Sequence, residues 1–151
     1  AKSLFERSGV RTPQWILLPH SIPAEEAARR VRVEFPLPVV VKPDNQGSTV
    51  GFSLVRRGED ISPALERAWQ YGDALVEPFI EGREVTVAIL DGRALPVLEI
   101  VPEHGVYDYE CKYTKGKSRY LVPAELPEAV AHEPAETHRW ELGVGAMGGP
   151  A

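Results

Sequence analysis

The chain has 151 residues, 43% of them hydrophobic and 26% charged, the make-up of a soluble globular domain able to bury a core, which excludes a disordered or collagen-like chain. Its 13 glycines and 14 prolines predict many turns but stay short of the about 25–30% that marks low-complexity sequence. A formal net charge of −5 argues against nucleic acid or an anionic membrane surface as partner and requires any anionic small molecule to be met by a few placed cations.

No apolar run exceeds four residues, as in Val87 to Leu90, far below the roughly 20 that span a bilayer, and no basic-then-apolar leader opens the chain. A cytoplasmic location is expected. The single cysteine, Cys111, permits no internal disulfide and no thiolate metal site, which suits a reducing compartment. Lys2 to Ser8, with Leu4 and Phe5 before Gly9, reads as the last turns of a helix, so the chain is expected to be a slice of a longer one.

A strand follows at Trp15 to Leu18. Ser21 and Pro23 open a helix over Ala24 to Val33 with Ala27, Ala28 and Val31 on one face, closed by Pro36 and Pro38. Pro38 to Lys42 is a β-branched strand whose antiparallel partner is Gly51 to Val55. Ile61, Leu65, Ala68 and Trp69 recur at helical spacing up to Gly72, with Ser62-Pro63 expected to delay the start. Ala74 to Glu77 is a strand. Glu84 to Leu90 and Arg93 to Val101 flank Asp91-Gly92, the strongest hairpin signal in the chain. Arg119 to Val122 reads as one more strand, after a polar loop. This order predicts an α+β sandwich with helices on one side of a mixed or antiparallel sheet. From about Ala131 the pattern weakens, and the glycines at 143, 145, 148 and 149 predict a frayed ending.

Three motifs fail on context. Gly143 to Gly148 fits G-x-G-x-x-G, yet too little chain follows for the helix that fingerprint needs. Gly116-Lys117-Ser118 resembles the end of a P-loop, but the first glycine would fall at Cys111. His132, Glu136 and His138 lack the helical spacing of a metal site, and no metal ligands are assigned.

The chemistry-bearing signal is distributed. Lys42 ends an apolar strand and precedes Gly47-Ser48-Thr49, a glycine- and hydroxyl-rich turn whose backbone amides can approach a phosphate. The plain alternative is an exposed strand-end lysine beside an ordinary loop, although the loop is longer than a tight hairpin needs. Glu77 and Glu84 flank an extended stretch that offers backbone groups to a base edge while a carboxylate accepts from sugar hydroxyls. Surface acids around a turn are the alternative there. Lys112 and Tyr113 lie between Tyr107 and Lys117 in a loop too polar for core, of the kind that serves as a lid.

Four ordered segments, "VVVKPDNQGSTVGFS", "ALVEPFIEGREVTVAIL", "ALPVLEIVP" and "YDYECKYTKGKSRYLVPAEL", resemble successive segments of D-alanine-D-alanine ligases, members of the ATP-grasp superfamily. The likeness runs from about Lys2 to Leu126. It implies an α+β ATP-grasp fold, the central subdomain plus part of the carboxy-terminal one, over residues 1–126, with 127–151 a divergent tail. It implies an ATP-dependent ligase that joins two D-alanines through an acyl phosphate for peptidoglycan precursor synthesis. ATP, Mg²⁺ and D-alanine are the small molecules implied, and the family is commonly homodimeric.

Carried over by position, the resemblance places Lys42 on the ATP phosphates and Gly47, Ser48 and Thr49 in a mobile glycine-rich loop over the β- and γ-phosphates. Glu77 and the backbone of Ile80 match the hinge that reads adenine, and Glu84 matches the carboxylate on the ribose hydroxyls. Lys112 resembles a loop lysine reaching a phosphate, and Tyr113 the tyrosine that hydrogen-bonds toward Ser48 and closes the lid; Ser48 and Tyr113 are the catalytic candidates. The resemblance also implies parts not found in this chain: an amino-terminal domain before Ala1, a further phosphate lysine, and the metal ligands. Where the family carries an arginine and a metal-binding aspartate, Gly149 and Ala151 stand here. The chain is therefore expected to be an inactive fragment, the alternatives being another ATP-grasp carboxylate-amine ligase or a non-catalytic nucleotide-binding fragment.

Overall fold

The computed structural model describes residues 1–103 and 109–127. In chain order these form α1 (Lys2–Arg7), β1 (Ile16–Leu18), α2 (Ala24–Glu34), β2 (Val39–Pro43), β3 (Ser53–Val55), a 3-10 turn (Gly58–Asp60), α3 (Ile61–Trp69), β4 (Ala74–Pro78), β5 (Glu84–Thr86), β6 (Ile89–Leu90), β7 (Arg93–Ala94), β8 (Leu98–Pro102), α4 (Tyr109–Tyr113) and β9 (Ser118–Leu121). They divide into two compact units, Pro13–Ile80 and Ala1–Thr12 with the described part of Glu81–Gly145.

In the Pro13–Ile80 unit a four-stranded sheet runs in the order β1-β4-β2-β3, every neighbouring pair antiparallel. Residues alternate between the faces of a strand, so Val39 and Val41 of β2 and Ala74 and Val76 of β4 share one face. All four are fully buried, in one core cluster with Ala27, Ala28 and Val31 of α2 and Ile61, Leu65 and Ala68 of α3. The expected arrangement of helices on one side of an antiparallel sheet is thus met. Trp69 packs its ring against this cluster and donates its indole N–H to the Leu18 carbonyl at 3.0 Å, which ties α3 to the edge strand.

Ser62-Pro63 does not delay α3, which starts at Ile61 behind the 3-10 turn. Pro63 sits in the first turn, where a backbone N–H has no intrahelical acceptor, so its missing donor costs nothing there.

The second unit contains the three-stranded antiparallel sheet β5-β8-β9 and the two-stranded β6-β7. The Asp91-Gly92 hairpin forms as expected, with φ of 48° and 75° at its two central residues and Leu90 paired with Arg93. The two long strands expected on either side are each broken. Leu90 pairs with Arg93 but Thr86 pairs with Leu98, so three residues, Leu95 to Val97, oppose two, Val87 and Ala88. That is a β-bulge, and Pro96, which has no N–H for a ladder, lies in it. Residues 109–113, expected as polar loop, instead form α4, and Cys111 is buried to 1% exposure.

Gly51 has φ +69°, and a Cβ there would stand 2.7 Å from Pro43 Cγ and 3.0 Å from the Tyr71 ring. Both the left-handed backbone and the rigid proline ring oppose any side chain, so Gly51→Ala is expected to lower stability by about 2 kcal/mol. Chemical denaturation checks this; an unchanged midpoint would show that the loop relaxes freely around the methyl.

Candidate functional site

The strand alternation that fills the core also sets the opposite face of β2 and β4. Val40 is paired with Glu77 and Lys42 with Leu75, which puts the Lys42 and Glu77 side chains on one face as diagonal neighbours. Lys42 Nζ donates to Glu77 Oε1 at 2.5 Å, with the two side chains 13% and 5% exposed. An exposed strand-end lysine is therefore not what the structure holds. Burial of either charge would be costly alone, and the pair offsets it. An anion reaching Lys42 must share the ammonium with Glu77.

The loop from β2 to β3 turns twice. Ser48 and Thr49 have φ of 51° and 60°, and Val50 N–H donates to the Gly47 carbonyl at 3.2 Å, the hand of a type I′ turn built without glycine at either central position. Phe52 N–H then donates to the Thr49 carbonyl at 3.2 Å across Gly51. Gly47 is exposed, whereas Ser48 and Thr49 are half-buried. At the end of β4, Phe79 N–H donates to the Pro38 carbonyl at 3.0 Å and the Arg56 guanidinium lies 5.8 Å from the Phe79 ring centroid. These contacts hold the segment that carries Ile80, itself 60% exposed.

Glu84, Lys112 and Tyr113 belong to the other unit. Glu84 opens β5, and burial pushes its carboxyl up to about 7 against the opposing pull of the Lys112 charge. Burial correspondingly lowers Lys112, with Glu84 and then Tyr113 acting in the other direction. The structure so brings Glu84 and Lys112 into one electrostatic neighbourhood. Tyr113 is 62% exposed on α4. His132, Glu136, His138, the glycine run and the positions of Gly149 and Ala151 lie outside the described residues.

Two residues that the motif reading passed over stand beside Glu84. Arg83 grips Glu99 with Nε at 2.7 Å and Nη2 at 2.5 Å, and Nη1 donates to the Glu125 carbonyl at 2.7 Å. Glu99 is 7% exposed, and the guanidinium hydrogen bonds hold its carboxyl below the usual range. The signal was a carboxylate inside the apolar run Leu98 to Val101, which needs a cationic partner if the strand is buried. Among the described residues no group of three or more His, Cys, Asp or Glu side chains could hold a metal ion. No helix among them is long and apolar enough to cross a membrane.

A family model described as "D-ala D-ala ligase C-terminus" matches residues 4–139. A D-alanine--D-alanine ligase of Citrifermentans bemidjiense is 42% identical over 134 residues, 88% of this chain and 42% of that protein. A D-alanine--D-alanine ligase of Syntrophotalea carbinolica is 50% identical over 94 residues, 62% of this chain and 31% of that protein. Among solved structures, the VanG D-Ala:D-Ser ligase of Enterococcus faecalis superposes with a TM-score of 0.71 at 25% identity, covering 89% of this chain and 40% of that one. The chain spans less than half the length of these relatives.

The Glu84 environment makes stability depend on pH. Its carboxyl titrates at about 7 in the folded chain against an ordinary value of 4.5, so the fold holds this proton longer than the unfolded chain does. The favourable contribution is complete below pH 4.5 and is lost as pH rises through about 7. Glu84→Gln, which cannot ionise, is expected to remove that decline from unfolding midpoints measured across this window. Parallel pH profiles for the two proteins would show that Glu84 is not desolvated.

Proposed function

The chain belongs to the D-alanine-D-alanine ligase family, its fold is α+β of the ATP-grasp kind, and from that membership we propose that it supplies the ATP-handling portion of a ligase that joins two D-alanines. The observation that carries this reading is the buried Lys42–Glu77 pair beside the left-handed Ser48-Thr49 turn. A lysine on the sheet face turned away from the helices, followed in the chain by a loop with a strained backbone, suits a polyphosphate: one point charge and backbone amides.

The proposed reaction has two steps. A D-alanine carboxylate oxygen attacks the γ-phosphorus of ATP, ADP leaves, and an acyl phosphate forms. The amine of a second D-alanine then attacks the acyl carbon, inorganic phosphate leaves, and the amine gives up a proton. Carboxylate and triphosphate repel each other, so cations and fixed donors must neutralise the approach, and water must be kept from the acyl phosphate.

In this reading Lys42 and Lys112 meet phosphate oxygens, and Gly47, Ser48 and Thr49 offer amides to the β- and γ-phosphates. Glu77 and the Ile80 backbone address adenine, Glu84 accepts from the ribose hydroxyls, and Ser48 and Tyr113 are the catalytic candidates, Tyr113 on a lid. Glu77 thereby has a second task, to hold Lys42 when no phosphate is present. The resemblance implies Mg²⁺ with the nucleotide, but the described residues offer no metal-binding cluster, and no step is assigned to it.

The product would serve peptidoglycan precursor synthesis in the cytoplasm, by a protein that pairs as a homodimer. Residues 1–126 would be the ATP-grasp part and 127–151 a divergent tail. With Gly149 and Ala151 at the places of the family's arginine and metal-binding aspartate, the chain by itself would bind nucleotide without forming dipeptide. The likeness to a D-Ala:D-Ser ligase supports a second reading, another ATP-grasp carboxylate-amine ligase with a different acceptor.

Calorimetric titration of the chain with ATP is expected to show saturable binding that Lys42→Met weakens about tenfold or more, the worth of a charged hydrogen bond. Glu77→Gln serves as the companion, since Lys42→Met leaves a buried carboxylate behind. No binding by the wild-type chain would overturn the nucleotide reading. Dipeptide formed from ATP, Mg²⁺ and D-alanine would overturn the reading of an inactive fragment.

A further inference from the structure

The guanidinium of Arg83 joins three segments of the second unit. It forks onto Glu99 in β8 and reaches the Glu125 carbonyl, while Ala124 N–H donates to the Val97 carbonyl at 2.8 Å just before β8 begins. Val85 is paired with Glu99, and Glu84 with Ile100. Arg83, Val85 and Glu99 therefore share one face of the sheet, and Glu84 and Ile100 the other. Arg83 immediately precedes β5, so a fork that fixes Arg83 also fixes the backbone from which Glu84 projects on the opposite face.

The geometry calls for such a fixing. β5 has three residues and, among the described residues, pairs with β8 alone, and its first residue is a half-buried carboxylate whose charge burial disfavours. A side chain in that position must be placed by its backbone, because little surrounding solvent can compensate for a displacement. Bidentate Arg–carboxylate contact is directional, which an ammonium in the same place would not reproduce.

We propose that Arg83 is a positioning residue, whose fork onto Glu99 and the Glu125 carbonyl sets the start of β5 so that Glu84 meets the sugar hydroxyls of the nucleotide. This rests on the nucleotide reading above. It assigns Arg83 and Glu99 an effect on one part of the ligand, the ribose, and none on the phosphates.

The test compares ATP, 2′,3′-dideoxy-ATP and inorganic tripolyphosphate by calorimetry on the whole chain. The wild type is expected to bind ATP about tenfold more tightly than the dideoxy analogue, as charged hydrogen bonds to the hydroxyls would give. In Arg83→Met this preference falls to within about twofold of unity, the scale of a lost charged hydrogen bond, while the analogue and tripolyphosphate bind as before. Arg83→Met strands a buried carboxylate, so the double variant Arg83→Met with Glu99→Leu removes both charges together and keeps the core apolar; it is expected to lose the same preference.

A retained preference in the folded variants overturns the proposal and leaves the nucleotide reading standing. So does an equal weakening of all three ligands, or a double variant that no longer folds, since either assigns the fork to stability alone. A wild-type chain that does not bind ATP, or does not prefer it to the dideoxy analogue, overturns the reading on which the proposal rests.

Discussion

Two antiparallel strands that bury one face are bound to present the other, and in β2 and β4 that constraint decides where the charged chemistry sits. Val39, Val41, Ala74 and Val76 are fully buried against α2 and α3. The residues between them, Val40, Lys42, Leu75 and Glu77, have no choice but the opposite face. A slip of one residue in β2 would send Lys42 into the helix-packed core, and a slip in β4 would send Glu77 there, each time separating one buried charge from its partner. The apolar packing of one face thus protects the pairing on the other. That is why the ion pair, at 13% and 5% exposure, is better regarded as a consequence of the core than as its support.

The second unit uses the same alternation with a different division of labour. There the Arg83–Glu99 fork occupies one face of β5 and β8 while Glu84 takes the other. The fork is directional and closely made; Glu84 is half-buried, and the field of Lys112 opposes its desolvation. A carboxylate near neutrality in its protonation is poorly suited to bracing a fold, because its charge changes over the range in which the protein must stay folded. Separating the brace from the titrating group lets each be tuned without disturbing the other.

Local pattern was enough for most elements and for little of the pairing. The Ala24 helix, the β2–β3 pair and the Asp91-Gly92 turn follow from spacing and turn chemistry within a dozen residues. The bulge was readable in part, since Pro96 cannot serve in a regular ladder, but the shift of register it introduces depends on both strands at once. α4 was hidden because one buried cysteine among charged and tyrosine residues leaves no periodicity to detect. Lys42 and Glu77 are 35 residues apart in sequence, and nothing short of the β2–β4 register brings them together. The family resemblance identified the same residues by position, without showing that two of them hold each other.

Among the described residues two turns with left-handed backbone show where strain is tolerated. Both have positive φ at two successive residues, Asp91-Gly92 in the hairpin and Ser48-Thr49 in the loop after β2. The hairpin uses residues that enter this region cheaply. The loop uses a serine and a β-branched threonine, each strained by about 1–3 kcal/mol in such a conformation, and then fastens both ends. Gly51 is pressed against Pro43 and Tyr71, and Gly72 lies so close to Asp44 and Asn45 that a Cβ would stand 2.8 Å and 2.6 Å from their side-chain oxygens. Thr49 Oγ1 adds a 2.5 Å hydrogen bond to the Ser48 carbonyl. A glycine pair would relieve the strain at the cost of letting the peptide planes wander. A serine and a threonine in a forced turn narrow the backbone conformations open to this loop, where a glycine pair would widen them.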